Sequence, residues 1–137
     1  PGQDTDVVLV IDASTSMDGG NIISAKTAAK SFANALLADT VQADVRLAVV
    51  TYTSTPTTEC GLTDRLRSVN SAIDAIRIWK DQGTNIQAGI YQARTILEES
   101  VAANKVIVLL SDGEPTYSYR SKGTGPIRMV SGVGIKI

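Results

Sequence analysis

The sequence contains no histidine and only one cysteine, Cys60. Without histidine, the chain cannot form a Ser-His-Asp or Cys-His catalytic arrangement, nor a zinc site with a histidine ligand. One cysteine forms neither an internal disulfide nor a thiolate metal site. We therefore expect Cys60 to be an ordinary, partly buried residue, and any metal site to be built from oxygen ligands.

Long apolar segments and basic clusters are also missing. The longest apolar runs, 7–11 and 106–110, have the length of strands and fall far short of the roughly 20 residues that span a bilayer. A net charge of −1 without a basic cluster gives no support for nucleic-acid binding. With 137 residues, of which 43% are hydrophobic, the chain fits one globular domain. No signal peptide is present, but a chain that begins with Pro1 is expected to be trimmed or excised.

Buried strands alternate with amphipathic helices along the chain. This alternation predicts an α/β fold with an open, mostly parallel sheet and helices on both faces. The predicted segments are strand 6–11, helix 22–37, strand 45–52, a short edge strand 57–62, helix 65–78, helix 85–99, strand 106–110, loop 115–127 and strand 130–137.

Oxygen-bearing side chains occur in three loops at strand or helix boundaries. Asp12, Ser14 and Ser16 follow the first strand, Thr84 precedes a helix, and Asp112 follows the strand at 106–110. In an open α/β sheet, ligands bind beyond the carboxyl ends of the strands, where we expect these loops to meet. Singly, each residue also suits a helix cap or a turn. Together they offer the hard oxygen ligands that Mg²⁺ prefers, provided that segment 12–16 curls around the ion.

The Asp-x-Ser-x-Ser run at 12–16, the Gly-Thr-Asn at 83–85 and the Ser-Asp-Gly at 111–113 resemble a von Willebrand factor type A (VWA) domain. The resemblance covers roughly residues 5–114 and implies a mostly parallel sheet with one antiparallel edge strand. It also implies a metal-ion-dependent adhesion site (MIDAS) that holds Mg²⁺, or Mn²⁺ or Ca²⁺. Direct ligands would be Ser14 and Ser16, with Asp12, Asp112 and Thr84 acting directly or through water.

The same resemblance implies a binding module rather than an enzyme. In the family, an acidic residue of a protein partner completes the coordination of the ion. Within the family, the segment 111–119 resembles the adhesin at the tip of Gram-positive surface pili. The implied partner is a host cell-surface or matrix protein, and the implied location is the bacterial surface, in a cell-wall-anchored parent protein. Tyr117, Tyr119 and Arg120 are candidates for partner contact.

The C-terminal part departs from the family pattern. Members usually continue with a helix after the third metal loop, followed by a strand, a helix and a final strand. Residues 115–128 show no helical pattern, so the last helix and strand are expected to be missing. We therefore expect residues 1–137 to be a single VWA domain that is either a fragment or has lost an insertion.

Three alternatives remain open at this stage. Asp12 is placed as the nucleophile of a Mg²⁺-dependent phosphoryl-transfer enzyme would be, although position 14 carries serine rather than a second aspartate. An intracellular VWA domain that assembles a multiprotein complex has the same motifs. A domain that has lost its metal and is only structural is the third alternative.

Overall fold

The computed structural model describes residues 4–14, 17, 20–37, 44–78, 85–110, 119–120 and 126–131. Six strands and three helices lie within these residues, and their order agrees with the predicted alternation. Their bounds are β1 Thr5–Asp12, α1 Gly20–Leu37, β2 Val45–Tyr52, β3 Pro56–Thr63, α2 Leu66–Asp74, α3 Ile86–Glu98, β4 Asn104–Leu110, β5 Tyr119–Arg120 and β6 Pro126–Ser131.

The strands form one sheet in the order β3-β2-β1-β4-β6-β5. The four inner strands are parallel, which confirms the predicted α/β class. β3 is antiparallel to β2, as expected for a strand that follows its neighbour after a turn of only three residues. A second antiparallel strand, β5, forms the other edge and lies within the segment predicted to be loop. A strand of two residues is too short to show any periodicity in a sequence.

The helices cover both faces of the sheet. On one face, α1 and α2 pack on Val7, Leu9 and Ile11 of β1. On the other face, α3 packs on Val8 and Val10. All five of these β1 side chains are at most 2% exposed, which explains why β1 is an uninterrupted apolar run. Burial of each such side chain stabilises the fold by about 1.5–3 kcal/mol.

Gly89 lets the backbone of helix α3 pack directly against side chains of the sheet. A Cβ atom at this position would lie 2.6 Å from Cδ1 of Tyr52 and 3.0 Å from Cγ1 of Val10. Both neighbours are buried in the core of this face. Only a glycine lets the backbone of α3 approach the end of β2 so closely, and this contact sets the position of the helix.

Helix α2 is shorter than predicted. The apolar spacing predicts a helix over 65–78, but α2 ends at Asp74. The amide of Ile76 donates to the carbonyl of Ile73 at 3.2 Å, which tightens the last turn, and Ile76 is still buried after the helix has ended. None of the helices within the described residues has the length and apolarity that a membrane crossing requires.

Candidate metal site at the carboxyl edge of the sheet

The parallel strands end together at one edge of the sheet, here called the carboxyl edge. Asp12 is the last residue of β1 and is paired in register with Tyr52, the last residue of β2. Ile11 is paired with Leu110, the last residue of β4. The chain therefore leaves three neighbouring strands at the same level, which is where α/β folds bind ligands.

The carboxylate of Asp12 organises the chain after β1. Its Oδ1 accepts hydrogen bonds from the amide of Ser14 at 2.8 Å and from the Ser14 hydroxyl at 2.5 Å. Short polar side chains commonly turn the backbone in this way, by bonding to an amide two residues ahead. The amide of Met17 then donates to the carbonyl of Ser14 at 2.9 Å, so the chain turns back toward α1.

Asp12 is a buried carboxylate without a cationic partner among the described residues. Asp12 and Ser14 are only 2% and 1% exposed. No lysine or arginine of the described segments forms an ion pair with Asp12. A buried charge without a partner is costly, which makes this carboxylate a suitable ligand for a cation.

Asp6, at the other end of β1, shows the contrasting arrangement. It is also 2% exposed, but Nε and Nη2 of Arg46 donate to its two carboxylate oxygens at 2.9 and 2.6 Å. The hydroxyl of Ser100 donates to the same carboxylate at 2.5 Å. Hydrogen bonding to Asp6 raises the pKa of the Arg46 guanidinium, and burial opposes this change. Asp6 is thus neutralised by protein side chains.

Asn85 fixes the second loop of the carboxyl edge. Its amide donates to the carbonyl of Thr53 at 2.7 Å, just after β2 ends. Its side-chain oxygen caps α3 by accepting from the amide of Ala88 at 3.1 Å, and its Nδ2 donates to the carbonyl of Ser54 at 3.4 Å. Because the amide of Ala13 donates to the carbonyl of Tyr52 at 2.9 Å, the start of α3 lies beside the Asp12 turn.

Only part of the predicted site falls within the described residues. Asp12 and Ser14 lie there and are in contact with each other. Ser16, Thr84 and Asp112 lie outside the described residues, although Thr84 directly precedes Asn85 and Asp112 follows Leu110 by two residues. Within the described part of the chain, no group of three or more cysteine and carboxylate side chains could hold a metal ion.

Two of the three predicted contact residues, Tyr119 and Arg120, have their backbone away from this edge. Tyr117 lies outside the described residues. Tyr119 and Arg120 form β5 and pair with Ile127 and Pro126 at the beginning of β6. Since Val106 of β4 pairs with Arg128, β5 lies level with the beginning of β1. At about 3.3 Å per residue, its backbone is about 20 Å from the level of Asp12.

The comparisons with known proteins agree with the fold. The model of the von Willebrand factor type A domain matches residues 6–137. The chain belongs to the VWA family. It is 38% identical to the minor fimbrium subunit Mfa5 of Porphyromonas gingivalis over 122 residues, which are 85% of this chain and 10% of Mfa5.

Solved structures show the same VWA fold. The vWF domain of Mfa5, described as a type V pili tip protein, is similar with a TM-score of 0.73 and 35% identity, over 89% of this chain and 42% of that chain. The pilus adhesin SpaC from Lactobacillus rhamnosus GG is similar with a TM-score of 0.69 and 23% identity, over 86% of this chain and 16% of that chain. The mussel byssus protein PTMP1, with a zinc-occupied MIDAS motif, is similar with a TM-score of 0.71 and 21% identity, over 95% of this chain and 35% of that chain. This chain therefore spans less than half of each relative.

Proposed function

We propose that this VWA domain is a metal-dependent protein-binding module of a bacterial surface adhesin. The observation that carries the proposal is the buried carboxylate of Asp12, which has no cationic partner in the described part of the chain. The similarity to a pilus tip protein supports the adhesive role. The proposed role is binding rather than catalysis, as in the other adhesins of the family.

The proposed ligands are Asp12, Ser14, Ser16, Thr84 and Asp112, and the proposed ion is Mg²⁺, with Mn²⁺ or Ca²⁺ as substitutes. The donor set suits such an ion because carboxylate and hydroxyl oxygens are hard ligands. When bound, the ion supplies an electrophilic point that attracts a further carboxylate. Asp12 holds the Ser14 hydroxyl at the same point, so this pair is already arranged around one position.

The proposed partner is a host cell-surface or matrix protein that presents an acidic side chain. A carboxylate of the partner would complete the coordination of the ion, and no nucleic acid or membrane insertion is involved. The proposed location of the domain is the outer surface of the bacterium, within a cell-wall-anchored parent protein. Surface labelling of intact cells tests the location, since labelling only after lysis would instead support an intracellular VWA domain.

Thermal unfolding with metal and with chelator tests the proposed site. A ligand at ten times its Kd stabilises the folded state by about 1.4 kcal/mol. For a chain of this length, this corresponds to a rise in Tm of about 5 °C. We expect this rise with Mg²⁺ or Mn²⁺ and its loss in EDTA, and titration calorimetry should give a matching Kd.

Asp12→Asn is the informative variant because it keeps the shape of the side chain and removes its charge. We expect a folded protein whose Tm no longer responds to Mg²⁺. Asp74→Asn is the matched control, since Asp74 is an exposed carboxylate paired with Lys30 on another face. The proposal is refuted if wild type shows no response at millimolar metal, or if Asp12→Asn responds as wild type does.

A further inference from the structure

The end of β2 is bonded to two of the three loops proposed to hold the metal. The carbonyl of Tyr52, the last residue of β2, accepts from the amide of Ala13 at 2.9 Å. The carbonyl of Thr53, the next residue, accepts from the amide of Asn85 at 2.7 Å. Ala13 follows Asp12 directly, and Asn85 is the residue before α3. Two consecutive carbonyls therefore set the separation between the Asp12 turn and the start of α3.

The ring of Tyr52 sets how far α3 approaches the sheet. Gly89 lies in the first turn of α3, which begins at Ile86. A Cβ atom at Gly89 would lie 2.6 Å from Cδ1 of Tyr52, whereas carbon atoms in normal contact are about 3.5–4.0 Å apart. Tyr52 is 1% exposed and lies in the same buried cluster as Val10, so its ring shifts only if its neighbours move as well. The backbone of α3 therefore rests on this ring without an intervening side chain.

Tyr52 thus acts on the proposed site in two ways. Its carbonyl holds the turn after Asp12, and its ring supports the first turn of α3. Closely packed interiors transmit strain, so a change in the height of α3 also displaces Asn85. Thr84, a proposed ligand, is joined to Asn85 by a peptide bond. The spacing between these two groups of proposed ligands therefore depends on the contact between Tyr52 and Gly89.

The selectivity of a metal site is sensitive to such spacing. Mg²⁺ requires a nearly ideal octahedron of oxygens at about 2.0–2.1 Å, whereas Ca²⁺ accepts about six to eight oxygens at about 2.3–2.6 Å in flexible geometry. The overlap that a Cβ at Gly89 would create with the Tyr52 ring is about 1 Å, which exceeds the difference between these two distances. A displaced ligand loop is therefore costly for Mg²⁺ and tolerable for Ca²⁺.

We propose that the contact between Tyr52 and Gly89 gives the metal site a preference for Mg²⁺ over Ca²⁺. Tyr52 is a positioning residue, since it holds two ligand loops at a fixed spacing and does not itself bind the ion. Gly89 is required because a larger residue displaces either the ring or the helix. This inference deepens the proposed function and rests on it, because it assumes that an ion binds beside Asp12.

Calorimetric titration with Mg²⁺ and with Ca²⁺ tests the inference. The dissociation constants are compared in wild type, Gly89→Ala, Tyr52→Leu and Tyr52→Phe, each shown by circular dichroism to be folded at the temperature of the titration. In Gly89→Ala and Tyr52→Leu we expect the Kd for Mg²⁺ to rise roughly tenfold, as for other residues that orient metal ligands without binding the ion. The Kd for Ca²⁺ should change by less than about twofold.

Two further variants show whether the contact itself is responsible. Tyr52→Phe keeps the ring that contacts Gly89 and removes only the hydroxyl, so we expect it to retain the Mg²⁺ preference of wild type. The double variant of Tyr52→Leu with Gly89→Ala should regain part of that preference, since the smaller side chain makes room for the new Cβ. A change that depends on both residues together is the signature of their contact.

Ile107→Val is the matched control for lost stability. Ile107 is fully buried in the same cluster as Tyr52 but pairs with Val8, so it lies about 13 Å along the sheet from the level of Asp12. Removal of one methylene group lowers the stability of the core. We expect a lower Tm and an unchanged ratio of the two dissociation constants.

The outcomes separate this inference from the proposed function. If wild type binds neither ion, both fail. If wild type binds metal without preferring Mg²⁺, or if Gly89→Ala and Tyr52→Leu keep the wild-type ratio or weaken both ions equally, the inference is wrong and the metal site stands. A shift of the ratio in Ile107→Val or Tyr52→Phe as large as in Tyr52→Leu would also overturn the inference. If Gly89→Ala does not fold, Tyr52→Leu and Tyr52→Phe decide between the same outcomes.

Discussion

Replacement of Gly89 by alanine is the most direct test of how α3 is held against the sheet. The new Cβ would lie 2.6 Å from Cδ1 and 3.0 Å from Cγ of the Tyr52 ring. Carbon atoms in normal contact are about 3.5–4.0 Å apart, so the overlap with the ring is about 1 Å. Tyr52 is 1% exposed and its ring is enclosed, so it cannot simply move into solvent.

Two opposing terms decide how much Gly89→Ala changes the free energy of unfolding. Alanine is favoured over glycine within a helix by about 1 kcal/mol. Overpacking of a filled core costs about 1–3 kcal/mol, and an overlap with two buried neighbours belongs in the upper part of that range. We therefore expect a net loss of about 1–2 kcal/mol in the free energy of unfolding, which lowers Tm by about 3–8 °C.

Urea and thermal unfolding followed by circular dichroism measure this loss. Gly61→Ala is the control, because nothing lies within 4 Å of the Cβ position at Gly61. In a double variant, Tyr52→Leu should recover part of the loss from Gly89→Ala by removing the ring. A Gly89→Ala protein as stable as wild type, or more so, would show that the close packing of α3 does not constrain the helix as argued.

The other predictions concern single side chains. Asp6→Asn should lower the free energy of unfolding by about 2 kcal/mol, because Arg46 and Ser100 lose a charged acceptor. In the exposed control Asp74→Asn, the loss should stay below about 1 kcal/mol. Equal losses in the two variants would contradict the argument. Asn85→Ala should lower the free energy of unfolding by about 1 kcal/mol through loss of the α3 cap, and it should weaken Mg²⁺ binding. An unchanged Mg²⁺ affinity in calorimetry would show that the start of α3 does not support the site. Burial raises the pKa of the Cys60 thiol, so less thiolate is present at neutral pH. Alkylation by iodoacetamide should therefore need a higher pH in the folded protein than in urea. The same pH profile in both states would contradict this prediction.

Most of the fold is predictable because the sheet is buried on both faces. The predicted bounds 45–52 agree with β2 as found, and the predicted strand 6–11 lies within β1. A strand covered by helices on both sides must be apolar throughout, and this pattern is visible without any knowledge of its neighbours. The two edge strands differ: β3 is mostly polar and only partly buried, and β5 has two residues. Neither leaves a strong periodic pattern.

The side-chain contacts between distant segments were not predictable. Ser100 bonds to Asp6 across 94 positions, and Gln92 bonds to Thr58 across 34. A groove beside α3 likewise combines Pro56, at the start of β3, with residues on one side of α3. Local patterns predict a helix over 85–99, and the structure shows that Asn85 is its N-cap rather than its first residue. They do not reveal that Arg94 lines a groove.

The strongest argument for a cation at the carboxyl edge comes from comparing the two ends of β1. Asp6 and Asp12 lie on the same strand, six residues apart, and are equally buried. Since alternate residues of a strand share a face, both lie on the side of the sheet that α3 covers. At Asp6 the protein supplies an arginine and a hydroxyl. At Asp12 the described residues supply an amide and a hydroxyl to Oδ1 and no positive charge. The proposed metal ion among hydroxyl ligands would supply at Asp12 the positive charge that Arg46 supplies at Asp6.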